Sequence, residues 1–140
     1  MLSPGLIIVL IASSLILIAV GLPMALGKVP PNPIYGVRLP VTFRSRAAWD
    51  AANTHYGWWL IAAGAGSLPV ILIIWAGGFG EPAIFVWLGV LVVPILGGLP
   101  FTVKLAYRAE RRERAEADRA DDPDTPASDD RDSVPPQFSP

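Results

Sequence analysis

The sequence predicts an all-α integral membrane protein with three transmembrane helices, a short interfacial helix between the first two, and a disordered C-terminal tail. Three observations predict it. The 140-residue chain is 52% hydrophobic and only 16% charged, a balance that suits a bilayer better than solution. No charged residue or histidine precedes Lys28, and between His55 and Lys104 the only one is Glu81. After Val103 the composition turns abruptly to Arg, Glu and Ala, then to Asp, Pro and Ser. The formal net charge of −1 averages a basic region with an acidic tail. With no cysteine in the chain, a disulfide framework and thiolate metal sites are excluded.

The first span is expected over residues 5–26, an uncharged run. Its length matches the roughly 20 residues, at about 1.5 Å each, that a bilayer core requires. The competing interpretation is a cleaved signal peptide, since Ala and Gly sit near the end of the run. That needs a basic n-region and a shorter apolar core, and neither is present. Pro23 is expected to kink or end the helix in its last turns. The second span, 56–78, begins Tyr56-Gly57-Trp58-Trp59 and closes near Trp75, so aromatics stand at both ends, where headgroups lie. Within it, Ala62 and Gly66 are small residues four apart, a candidate face for helix packing or for an oligomer.

Residues 77–82 form a turn by composition, short enough to make the flanking helices antiparallel neighbours. The third span, 83–103, carries Trp87 near its start and Pro94 in its middle. Pro94 removes a backbone hydrogen bond and is expected to bend the helix unless a neighbour compensates. Glu110 and Arg114 form an i,i+4 pair in the favourable order, so the helix is expected to continue a few turns past the membrane. From Asp121 the chain is too polar to bury a core and is expected to be disordered. The division is therefore a membrane domain, 1–105, with its motif loop at 27–54, and a charged, largely disordered cytoplasmic tail, 106–140. The tail serves either to solubilise or to dock a protein.

All 11 Lys and Arg fall in the 27–54 connection or after residue 103. With three spans these two regions share one side, which the positive-inside rule makes cytoplasmic, with the N-terminus outside. An Arg at the centre of a span costs roughly 2.5–3.5 kcal/mol on insertion scales, and no span contains one. No ion pathway, proton relay or voltage sensor is therefore visible in the spans, which counts against a transporter.

The loop is dense in specific residue types. Its first half, Asn32-x-x-x-Gly36-x-Arg38-x-Pro40-x-Thr42, reads as a constrained extended segment, limited by Pro30, Pro31, Pro33 and Pro40 and opened at Gly36. On such a loop the fork of Arg38 is displayed to grip a carboxylate, a lipid phosphate or carbonyls at a helix end. Alternatively, Arg38 only anchors the loop to headgroups or caps a helix. The second half looks helical. Ser45 is a suitable N-cap, Arg46 and Asp50 form an i,i+4 pair, and Trp49, Asn53 and Tyr56 or Gly57 share one face. This suits a short interfacial helix with Trp49 at headgroup level and Asn53 placed to hydrogen-bond the Arg38 loop.

The pattern Asn32…Gly36-x-Arg38-x-Pro40-x-Thr42, then Trp49-x-x-x-Asn53 and Gly57, resembles the SdpI-like immunity protein family of bacterial membrane proteins, over roughly residues 5–105. In that family the same elements sit between two transmembrane helices. The resemblance implies a multi-pass plasma-membrane protein of the class whose namesake gives immunity to a secreted peptide toxin. It departs from the pattern in two ways. The best-known members carry extra helices before this unit, and members often have a basic residue after the Asn where this chain has Thr54.

Three function classes compete. The first is a recognition or immunity protein acting on a membrane-active peptide or lipid. The second is a structural or accessory subunit of a larger membrane complex, which a single stoichiometric partner on copurification would favour. The third is a membrane enzyme. Its only histidine, His55, lies beside interfacial aromatics and reads as a headgroup contact rather than a base. The sequence shows no catalytic cluster, phosphate loop, metal site or cofactor motif, so the expectation is a non-enzyme without cofactors. Nucleic acid is not an expected partner, since the arginines after Lys104 alternate with glutamates beside the bilayer, where anionic lipid explains them better. The expected partners are the bilayer, a peptide toxin or another membrane protein.

Overall fold

The computed structural model of the protein describes residues 2–121. It is built from α1 (Pro4–Ala25), α2 (Pro40–Arg44), α3 (Arg46–Ala76) and α4 (Ile84–Ala120), with a 3-10 turn, Glu81–Ala83, before α4. Among the described residues there is no strand, and α1, α3 and α4 are long and apolar enough to cross a membrane. The disorder expected in the tail falls, apart from Asp121, outside the described residues.

Local chemistry explains where the helices start and stop. Ser3 caps α1, its hydroxyl accepting the Leu6 N–H, with Pro4 in the first turn. Pro23 does not end α1. The end is a Schellman motif in which Lys28 N–H donates to Pro23 O and Gly27 N–H to Met24 O, with Gly27 at φ 64°. The same motif closes α3 through Gly78 and Phe79. Ser45 caps α3 as expected, accepting the Ala48 N–H at 3.0 Å. The Arg46–Asp50 and Glu110–Arg114 pairs both form, at 2.9 and 2.7 Å.

Two expectations about α3 are corrected. The helix expected at 46–53 is not separate from the second span. It forms the first turns of one 31-residue helix, because Arg46 to Asn53 are helix formers and no breaker intervenes. The short helix between the first two long ones is instead α2, where Pro40 sits in the first turn and Thr42 N–H donates to Leu39 O. Residues 40–42 are therefore helical rather than extended. The small pair Ala62 and Gly66 is also exposed, with nothing within 4 Å of a Cβ built on Gly66.

Different small residues pack the helices. α3 lies between α1 and α4 and packs along both. A Cβ on Gly21 would stand 2.7 Å from Gly57 O, and one on Gly64 would stand 2.6 Å from Ser14 O, so the α1 and α3 backbones touch where side chains are missing. Beside this crossing the fully buried Ser14 and Ser67 hydroxyls meet at 2.6 Å, and each also faces a carbonyl of its own helix. On the other side Gly98 of α4 lies against the Trp59 indole. α4 runs unbroken through Pro94 and Pro100, and the Tyr56 hydroxyl donates to Ile95 O at 3.3 Å. Ala106 is buried against Val41, Ala48 and Ala52, and Ser45 donates to Glu113. The charged extension of α4 is thus tied back to α2 and α3. The outer faces carry large apolar side chains such as Ile8, Ile16, Leu72, Phe85 and Val93, the inverse of a water-soluble surface.

Candidate functional site

The motif residues assemble on one end of the bundle. Asn32 folds the proline-rich segment on itself: its amide oxygen accepts the N–H groups of Ile34 (3.0 Å) and Tyr35 (2.7 Å), and its amide nitrogen donates to Pro30 O at 2.8 Å. This Asx turn directs Tyr35 back to α1, where its hydroxyl donates to Val20 O. Burial pushes the Tyr35 phenol pKa above its usual value.

Gly36 follows at φ 108°, a conformation that L side chains rarely adopt. A Cβ here would also run into the Asn53 amide and come within 3.3 Å of Trp49 Cζ2. The close approach lets Asn53 do two things at once. Its oxygen accepts Val37 N–H from the loop at 2.8 Å, and its nitrogen donates to Trp49 O on α3 at 2.9 Å. The expected link between the two halves of the loop is therefore present.

Trp49 is not at the rim but fully buried, and its indole N–H donates to Val29 O at 2.8 Å. The Phe43 ring covers it at a centroid distance of 6.0 Å. Thr42, 1% exposed, accepts Leu39 N–H at 2.9 Å and turns its own proton to Leu39 O or Val37 O. Pro40 starts α2. Gly57 stands apart from the loop, one turn beyond Asn53, against Ala25 and Gly21 of α1.

Six of the eight motif positions thus shape or seat the loop, Gly57 lets α3 approach α1, and Arg38 projects from the loop. Arg38 is exposed, with one guanidinium N–H donating to Pro33 O. No carboxylate lies within ion-pair distance of it among the described residues. Below it lies an open groove of about 440 Å³, lined by Val20, Met24, Tyr35, Tyr56, Leu60 and Leu99 among others. Tyr35 was not singled out in the motif; the aromatic between Asn32 and Gly36 was the available signal. A second groove of about 630 Å³, between the start of α3 and the α4 extension, mixes Arg46, Arg108 and Arg112 with Asp50, Glu113 and Glu116.

His55, expected as a headgroup contact, has a partner on its own helix. Its Nε2 accepts the Trp59 indole N–H at 3.0 Å, with the rings edge-on. Among the described residues no group of three His, Asp or Glu side chains is placed to hold a metal ion.

Residues 28–107 match the SdpI/YfhL protein family. The match covers more than half of the chain and takes in the loop, all of α3 and α4 as far as Tyr107. It begins after α1, a narrower reach than 5–105. Neither curated proteins nor solved structures give a match.

Proposed function

The chain belongs to the SdpI/YfhL protein family, and from that membership we propose that it is an immunity or sensing protein of a bacterial plasma membrane, directed at a membrane-active peptide toxin. It is a multi-pass membrane protein of the SdpI type. The observation that carries the reading is the family match across the whole motif loop, joined to the resemblance of that motif to a class whose namesake confers immunity. The loop supports it by being a built surface rather than a slack linker. Asn32, Asn53, Trp49 and Thr42 fix its path, and Arg38 stands out from it. In this reading the loop and the α4 extension face the cytoplasm and the N-terminus lies outside, which the distribution of basic residues supports. The role is non-enzymatic, and the engagement of His55 Nε2 by Trp59 fits that.

The test is sensitivity of the native host to a panel of membrane-active peptides, with the gene deleted and then restored as wild type or Arg38→Ala. Deletion should sensitise the cells, wild type should restore resistance, and Arg38→Ala should fail at normal membrane abundance. Unchanged sensitivity across a broad panel would reject the toxin reading. A second reading, an accessory subunit of a larger complex, is favoured by the open small-residue face at Ala62 and Gly66. It expects a single stoichiometric membrane partner on copurification.

A further inference from the structure

We infer that the groove beneath the motif loop binds one anionic phospholipid, with an acyl chain lying between the three long helices and the phosphate on Arg38. The inference goes beyond the toxin reading and holds or fails independently of it. Each long helix contributes to the groove: Val20 and Met24 from α1, Tyr56 and Leu60 from α3, and Leu99 from α4, with Tyr35 to Leu39 closing one end. Its volume of about 440 Å³ falls in the range of roughly 300–1,000 Å³ typical of ligand sites. It is open along one side, and Ile34 and Leu99 at its edge are exposed apolar residues, so a molecule held in hydrocarbon can enter laterally.

The polar inventory then selects the occupant. The Tyr35 and Tyr56 hydroxyls already donate to Val20 O and Ile95 O. Of the side chains lining the groove, Arg38 alone retains N–H groups to give, because a guanidinium carries five and one goes to Pro33 O. No acidic residue lines the groove, so its charge is uncompensated. A single cation at the end of an apolar slot complements an amphiphile with one anionic end. A peptide would bring backbone N–H and C=O groups that this lining leaves unpaired. A zwitterionic lipid would bring an ammonium group with no carboxylate to meet it. The position agrees: the groove lies at the end of the bundle where Lys28 and Lys104 also stand, the level at which headgroup phosphates sit.

The experiment is native mass spectrometry of the delipidated full chain, titrated with short-chain phosphatidylglycerol, short-chain phosphatidylcholine or inorganic phosphate. Circular dichroism and gel filtration would check each variant's fold. Expected is one phosphatidylglycerol per chain, bound at least tenfold more tightly than phosphatidylcholine and not displaced by inorganic phosphate. Affinity should fall tenfold or more in Arg38→Gln, which removes the cation, and in Leu99→Trp, which fills the groove with the cation intact. Arg44→Gln, exposed and outside the groove, should leave it unchanged. Equal binding of both lipids overturns the inference in favour of unselective boundary lipid. An equal loss in Arg44→Gln overturns it in favour of diffuse surface charge. Displacement by inorganic phosphate, or tighter competition by a peptide with an acidic end, overturns the lipid as occupant. Should Arg38→Gln fail to fold, unchanged binding in Leu99→Trp overturns the inference by itself.

Discussion

Asn53 holds the loop to α3 with both ends of its amide, and it is 2% exposed. Truncation to alanine strands the N–H of half-buried Val37, and an unsatisfied donor costs up to about 1–3 kcal/mol. Asn53→Ala should therefore lower the free energy of unfolding in mild detergent by an amount in that range. Gly36→Ala should do the same for another reason. It forces a side chain into positive φ, a strain of about 1–3 kcal/mol, and drives a methyl group into the Asn53 amide. Arg38→Ala is the contrast. Its guanidinium is exposed and donates to the loop's own Pro33 carbonyl, so its stability cost should stay near or below about 1 kcal/mol. A denaturation series over the three variants separates positions that build the loop from one that only projects from it. Comparable losses for all three would place Arg38 among the builders.

At the scale of the helices, the α1–α3 crossing depends on absent side chains. Gly21, Gly57 and Gly64 let the two backbones meet, and the Ser14–Ser67 pair lies in the same contact. Such interhelical hydrogen bonds in membranes average only about 0.6 kcal/mol, so close packing rather than the serines holds the pair. The chain has no native cysteine, which gives a clean assay. A Ser14→Cys/Ser67→Cys chain should cross-link within one molecule under mild oxidation. Adding Gly57→Leu should abolish the cross-link, and adding Gly66→Leu should leave it, since Gly66 faces open space. Equal cross-linking in both would show that the crossing tolerates bulk at Gly57.

Taken whole, the molecule is polarised. One end holds the loop, α2 and the charged extension of α4, joined by Ala106 packing and the Ser45–Glu113 bond. The other holds the uncharged start of α1 and the short turn before α4. Cysteines placed singly at Phe79 and Arg111, both exposed, should react with an impermeant thiol reagent from opposite sides of intact cells. Phe79 should label from outside and Arg111 only after permeabilisation. The reverse pattern would invert the orientation argued from the basic residues.

The number of spanning helices was legible in the residues because membrane partitioning depends on composition over about 20 residues. Ser45 as a cap and the Arg46–Asp50 and Glu110–Arg114 pairs were legible because they join positions three or four apart on one helix. The Asn53 contact was also anticipated, since the face it shares with Trp49 had to meet something. The tertiary structure alone decided which small residues pack, that Trp49 is buried beneath Phe43, that Tyr35 reaches Val20, and that a groove opens under Arg38. These features depend on how the helices are rotated and how deeply they cross. They join residues such as Ser14 and Ser67, 53 positions apart, and no local period encodes which glycine will find a backbone opposite it.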